Sequence, residues 1–198
     1  MIKNIILDVG GILFDDSKKN IEYVLNKNCD LIYKKAYGTG FKECLLGYKT
    51  VNEHIQNLSN ASEFKDISYI LSKDNLSKTY PLIKQNFEYI KKLKTMSYKL
   101  YLLTNITEDT YNHINKVINI DTIFDGGIYS YQEHVIKPDA TIYNLLIDRF
   151  KLNKEETIFF DDKEKNCISA NNVGIKSIVF NSIDDIKKNL TSISKADN

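Results

Sequence analysis

The sequence predicts an α/β fold built on a parallel sheet, and three observations predict it. Short apolar runs recur along the chain, each stops abruptly at polar residues, and helical patterns lie between them. The runs are Ile5-Ile6-Leu7 ending at Asp8, Leu100 to Leu103 ending at Thr104-Asn105, Ile158-Phe159-Phe160 ending at Asp161-Asp162, and Ser177 to Phe180. Runs apolar on both faces suit strands covered on both sides by helices, the usual state of a parallel sheet. The helical patterns cover Leu82 to Leu93, Asp109 to Val117, Ala140 to Phe150 and Cys167 to Val173. Strands alternating with helices imply right-handed crossovers within one sheet.

Residues 16–82 have a different character. They hold no clear β run, while apolar residues recur at helical spacing: Ile21, Val24 and Leu25; Ile32, Tyr33 and Ala36; Ile55 and Leu58; Phe64, Ile67 and Ile70. This predicts a helical module inserted directly after the first strand. Residues 1–15 and 83–198 then form the α/β core and 16–82 a helical cap.

Composition narrows the function. The 198 residues carry 27 basic and 26 acidic side chains and are 42% hydrophobic. That length suits one α/β domain with a small insert, and so many apolar residues with balanced charge argue against disorder. A net charge of +1 excludes a strongly electrostatic nucleic-acid binder. Arg149 is the sole arginine, so anions must be handled by lysines and backbone N–H groups. Cys29, Cys44 and Cys167 form no CxxC pair and no metal-ligand spacing, and read as reduced thiols. The apolar start of the chain is broken by Asp8 and Gly10-Gly11, unlike a signal peptide, and no stretch approaches a membrane span. A cytoplasmic protein is expected, monomeric or homodimeric, with neither a membrane nor a nucleic acid as partner.

In open parallel sheets ligands bind at the carboxyl ends of the strands. Asp8, Thr104-Asn105 and Asp161-Asp162 should therefore share one rim. A single aspartate after a strand commonly caps the next helix. Several gathered on one rim repel one another and call for a cation, and oxygen ligands with partial hydration favour Mg²⁺. Thr104 and the N–H groups that follow it can hold phosphate oxygens at the start of a helix near Glu108. Lys137-Pro138-Asp139 opens the helix Ala140 to Phe150. Pro138 suits its first turn and Asp139 its positive end. A lysine there is out of place unless it reaches an anion.

Four stretches, Asp8-Val9-Gly10-Gly11-Ile12-Leu13, Leu103-Thr104-Asn105, Lys137-Pro138-Asp139 and Phe159-Phe160-Asp161-Asp162, give the chain its resemblance to the haloacid dehalogenase-like (HAD) hydrolase superfamily. Within it, Lys137 to Tyr143 and Phe159 to Asn166 resemble the branch of α-glucose-1-phosphate phosphatases and of the N-terminal phosphatase domain of soluble epoxide hydrolase. The resemblance implies a Rossmann-like core with an inserted cap, and a Mg²⁺-dependent phosphatase acting on a small phosphate ester, a sugar phosphate among the candidates. Asp8 would be the nucleophile, forming an aspartyl-phosphate that water hydrolyses. Val9, Gly10, Thr104 and Asn105 would bind the phosphoryl oxygens. Lys137 would neutralise charge shared by Asp8 and the phosphoryl group. Asp8, Asp162 and the carbonyl of Gly10 would ligate Mg²⁺, with Asp161 nearby.

Two positions depart from the family pattern. Most superfamily phosphatases carry a general acid two residues after the nucleophile, where this chain has Gly10, as does the branch it most resembles. Asp15 is a candidate substitute, with helix capping as its alternative. His134 stands where close relatives tend to have glycine, and reads as an exposed or locally bonded histidine rather than a substrate contact. Tyr23, Tyr33, Tyr37, Phe41 and Tyr48 are candidates for the pocket or for cap packing. The competing functions are a catalytically silent phosphometabolite-binding protein and a metal-independent 2-haloacid dehalogenase.

Overall fold

The structure, a computed structural model, describes residues 1–194. Five strands form one parallel sheet: β1 (Asn4–Leu7), β2 (Lys99–Thr104), β3 (Gly126–Tyr129), β4 (Thr157–Asp161) and β5 (Lys176–Val179), in the order β3-β2-β1-β4-β5. The chain builds outward from β1 to one side through β2 and β3, then returns to the other side for β4 and β5. The order therefore reverses at β1, the point where a doubly wound sheet opens a crevice for ligand.

Alternation along each strand feeds two apolar layers. Ile5, Leu7, Leu100, Leu102, Ile158 and Phe160 face one layer, which also takes Ile90 and Leu93 of α7 (Lys84–Thr95), Ile114 of α8 (Glu108–Ile118) and Ile186 of α13 (Ile183–Ser194). Ile6, Tyr101, Leu103, Ile128 and Phe159 face the other, packed by Ile142, Tyr143 and Leu146 of α11 (Ala140–Phe150) and Ala170 of α12 (Glu164–Asn172). Coverage on both faces is why these strands read as continuous apolar runs. Two short helices, α9 (Ile120–Ile123) and α10 (Ser130–Glu133), flank β3.

Between β1 and α7 lie six helices: α1 (Lys18–Leu25), α2 (Asp30–Ala36), α3 (Lys42–Leu45), α4 (Val51–Asn57), α5 (Phe64–Leu71) and α6 (Leu76–Thr79). They bury a cluster of their own, with Ile21, Ile32, Ala36, Val51, Ile55, Ile67 and Ile70 inside. The chain leaves and re-enters the core on adjacent segments. Phe14 bridges Leu82, the Asp15 N–H donates to the Pro81 carbonyl at 2.9 Å, and that of Ile83 donates to the Leu13 carbonyl at 2.8 Å. The insert also rests on the far side of the rim, where the Ser130 hydroxyl donates to the Leu45 carbonyl at 2.6 Å. No helix among the described residues is long and apolar enough to cross a membrane.

The sequence pattern placed α11 at its observed limits and α8 within one residue at each end. It put the start of α12 three residues late, because Glu164 to Asn166 carry no apolar periodicity. Pro138 lies outside α11 rather than in its first turn. Asp139 is the N-cap, and its carboxylate accepts from the Thr141 N–H at 2.8 Å. The strand β3 was not anticipated.

Candidate active site

Asp8 follows the last residue of β1, the strand at which the sheet order reverses, and its N–H still donates to the Phe160 carbonyl at 2.9 Å. The chain then turns back on itself: the N–H groups of Leu13 and Phe14 both reach the Val9 carbonyl, at 2.8 and 3.0 Å. Gly11 takes φ +70° in this turn, the left-handed region that glycine enters without a steric penalty. A Cβ there would stand 2.8 Å from the Asp162 carboxylate. On Gly10 a Cβ would stand 2.6 Å from Oδ2 of Asp16. The glycine pair thus lets two carboxylates close on the backbone of the turn.

Lys137 is the hub of the site. Its side chain is 1% exposed, and Nζ lies 2.6 Å from Asp161 Oδ2, 3.0 Å from Asp8 Oδ1 and 2.8 Å from the Leu103 carbonyl. All three ammonium protons therefore have an acceptor, which is the condition for burying such a charge. Burial opposes the charged form of Lys137, but the two carboxylates outweigh it and raise its pKa. Burial pushes the Asp8 carboxyl up to about 7, with Lys137 pulling it down and Asp161 pushing it further up. The Asp8 Oδ1 also accepts from the Val9 N–H at 2.7 Å, which fixes its orientation.

The two aspartates after β4 have separate tasks. Asp161 is fully buried. Its Oδ1 accepts from the Lys163 N–H at 2.8 Å and from Asn166 Nδ2 at 2.9 Å, and its Oδ2 accepts from Lys137 and again from Asn166. Those bonds commit it to holding Lys137. Asp162 turns Oδ2 to Lys163 Nζ at 2.7 Å, while its buried Oδ1 has no hydrogen-bond partner among the described residues. A buried carboxylate oxygen without a donor is what a cation would satisfy. Carboxylate oxygens of Asp8, Asp161 and Asp162 lie within 4.8 Å of one another, so the donor set fits a hard divalent ion.

Thr104 ends β2, is buried, and lines the same cavity as Asp8 and Lys137. Asn105 lines it too, but its side chain is committed elsewhere. Oδ1 accepts from the Lys137 N–H at 2.8 Å, and Nδ2 donates to the Lys137 carbonyl at 3.0 Å. Asn105 thus clamps the backbone that carries the buried lysine.

The structure brings Asp8, Gly10, Thr104, Asn105 and Lys137 to one cavity; Val9, whose N–H is given to Asp8, and Asp162, packed against Gly11, do not line it. It keeps Asp15 and His134 out. The Asp15 carboxylate accepts from the Ser17 N–H at 2.9 Å, and Ser17 is the residue that caps α1. His134 stacks on Tyr48 with ring centroids 5.0 Å apart, and its Nδ1 meets the Leu46 carbonyl at 2.7 Å. Both contacts fasten the insert to the core. Among the aromatic candidates, Tyr33, Tyr37 and Phe41 line the cavity, while Tyr23 and Tyr48 are exposed. Arg149 is spent on Glu133, at 2.5 and 2.8 Å.

Asp16, Lys163 and Asn166 were missed as site residues. Asp16 lines the cavity, and burial raises its carboxyl pKa; Asp162 and Asp15 add to the rise, and Lys163 offsets it. The signal available was the doublet Asp15-Asp16 at the entrance to the insert. Asn166 could have been found from its spacing of five residues after Asp161, which lets the first turn of α12 bring it back to the strand end.

A family model for haloacid dehalogenase-like hydrolases matches residues 5–180. Drimenol cyclase drtB of Aspergillus calidoustus is 23% identical over 198 residues, covering 98% of this chain but 37% of that protein. The chain therefore spans well under half the length of that relative. The phosphorylated carbohydrates phosphatase of Thermotoga maritima is 24% identical over 195 residues, 92% of this chain and 88% of that one. Among solved structures, a HAD-family enzyme of Bacteroides thetaiotaomicron in complex with magnesium and inorganic phosphate shares the fold, with a TM-score of 0.69 and 21% identity over 90% of this chain and 93% of that one. With the family model spanning the sheet from β1 to β5, the chain belongs to the haloacid dehalogenase-like hydrolases.

Proposed function

We propose that the protein is a Mg²⁺-dependent phosphatase that hydrolyses a small phosphate monoester through an aspartyl-phosphate. The observation that carries this reading is the buried pairing of Asp8 with Lys137 beside the bare Asp162 oxygen. An oriented carboxylate, a fixed cation and an unpartnered carboxylate oxygen lying close together support phosphoryl transfer, which depends on positioning and charge stabilisation. A phosphatase acting on phosphorylated carbohydrates among the relatives supports the reading.

In this mechanism Asp8 attacks phosphorus with the carboxylate oxygen not held by the Val9 N–H. The bond from phosphorus to the ester oxygen breaks, and that oxygen takes a proton from Asp16, the carboxyl that fills the place of the missing side chain at position 10. Water then attacks the aspartyl-phosphate, Asp16 recovers a proton, the bond from phosphorus to Asp8 breaks, and orthophosphate leaves. Lys137 neutralises charge between Asp8 and the phosphoryl group. Thr104 and the Gly10 N–H orient its oxygens, the Val9 N–H being given to Asp8. Asp8, Asp162 and the Gly10 carbonyl would hold Mg²⁺, which supplies positive charge against the phosphoryl oxygens and keeps Asp8 ionised.

The test is turnover of a nitrophenyl phosphate with and without Mg²⁺. Activity should require the metal and fall by a factor on the order of 10⁴ or more in Asp8→Asn. Activity unchanged in that variant defeats the mechanism. Halide release from 2-chloropropionate without metal would replace it with dehalogenation. Saturable phosphate binding without turnover would make the protein a silent binder.

A further inference from the structure

We infer that the substrate is the monophosphate ester of an apolar alcohol or phenol rather than of a sugar. This rests on the phosphatase reading and adds to it the chemistry of the leaving group. The cavity above Asp8 has a volume of about 270 Å³, the scale of a small organic ligand rather than of a single water. Its lining differs in kind according to the segment that supplies it. The charged lining, Asp8, Asp16, Asp109, Lys137, Lys163 and Lys165, comes from outside helices α1–α6. Those helices and their connections contribute Tyr37, Phe41, Leu45, Ile70 and Leu71, joined by Tyr80, and no Lys, Arg, Asp or Glu between residues 18 and 82 lines the cavity among the described residues.

Four hydroxyls lie on that wall, and those of Tyr37 and Tyr80 make no hydrogen bond among the described residues. The Tyr33 phenol donates to the Asp16 carbonyl at 3.4 Å, and the Thr79 hydroxyl donates to the Asn75 carbonyl at 3.2 Å. The aromatic rings are fixed against one another. Tyr37 lies 4.7 Å from Tyr33 and 5.1 Å from Phe41, and Tyr80 stacks on Phe14 at 5.2 Å, all between ring centroids. A sugar would bring more hydroxyls against this wall than the Tyr37 and Tyr80 phenols can meet, and the rest would lose their hydrogen bonds to water. An alkyl, terpenyl or aryl group loses nothing there and removes apolar surface from water.

The experiment compares kcat/KM for 1-naphthyl phosphate and geranyl phosphate with that for glucose 1-phosphate and glucose 6-phosphate, with Mg²⁺ present. The apolar esters should exceed the sugar esters by about 100-fold or more, since a single methylene in an apolar pocket already changes kcat/KM by ~10–200-fold. In Leu45→Asn and Phe41→Ser, both partly exposed positions, the ratio of naphthyl to glucose-phosphate kcat/KM should fall by about tenfold or more, with competitive inhibition by inorganic phosphate reporting an intact phosphate end. Glucose phosphates turned over as well as or better than the apolar esters would overturn this inference while leaving the phosphatase reading in place. A ratio unmoved in both variants would overturn it as well. Turnover of neither class would overturn the phosphatase reading, and this inference with it.

Discussion

The Asp16 carboxylate occupies the space that a side chain on Gly10 would fill: its Oδ2 lies 2.6 Å from where a Cβ on that glycine would stand. The glycine is therefore the condition for bringing in a carboxyl from eight residues beyond the nucleophile. Removing that proton donor should lower kcat by ~10²–10⁴ for an ester with a basic leaving oxygen. The loss should be far smaller for nitrophenyl phosphate, whose leaving group needs no proton. Leaving-group dependence of kcat in Asp16→Asn checks this; an equal loss for both esters counts against proton transfer.

The same contact predicts compensation. Gly10→Asp alone should cost activity, because two carboxylates would compete for one space. Gly10→Asp combined with Asp16→Ala relieves the clash and restores an acid beside the nucleophile. The double variant should be at least about tenfold more active than either single one, a non-additivity expected for residues in contact.

Lys137 ties Asp8 and Asp161 together inside the fold, apart from its proposed part in the chemistry. Lys137→Met leaves Asp8 and Asp161 buried side by side without their shared cation. Breaking such a buried pair costs about 3–5 kcal/mol. The urea midpoint should fall accordingly with an unchanged slope. The deficit should shrink as pH is lowered and Asp8 takes up a proton.

Asn105 offers a test of positioning. Its side chain makes two hydrogen bonds to the Lys137 backbone and so holds the lysine rather than the substrate. Asn105→Ala should cost about 1–3 kcal/mol of stability and lower kcat by up to ~10² through misplacement of Lys137. Inhibition by inorganic phosphate should change little. A rise in its inhibition constant as large as the fall in kcat would instead place the Asn105 side chain on the phosphate.

Much of this architecture was legible because of where the strands sit. Ile158-Phe159-Phe160 is apolar at every position because β4 lies inside the sheet with helices on both faces, and its abrupt end at Asp161 marks the rim. Strand β3 escaped notice because it is at an edge and opens with two glycines. A Cβ on Gly126 would meet the Phe150 ring at 2.3 Å, so the position needs glycine for packing, and that removes the apolar signal. Asp16 escaped for a related reason. Its role depends on a chain reversal that brings residues 10 and 16 together, and no periodicity encodes that. The buried state of Lys137 was legible only as an anomaly, a cation placed where a helix begins.

The raised pKa of Asp8 should make stability depend on pH and, under the proposed function, on Mg²⁺. Its carboxyl ordinarily titrates at 3.8 and is raised to about 7 in the folded chain. Between those values the folded state keeps a proton that the unfolded chain has released, so stability of the metal-free protein falls as pH rises through this window. Asp8→Asn should flatten that slope in thermal melts. A divalent cation needs the ionised carboxylate and competes with the proton. Mg²⁺ should therefore raise Tm more at pH 8 than at pH 5, by an amount equivalent to about 2.7 kcal/mol at a concentration 100 times its Kd. Asp162→Asn, which replaces the bare ligand oxygen, should remove the Mg²⁺-dependent shift. A shift of equal size at both pH values, or one that survives this substitution, would place the cation elsewhere.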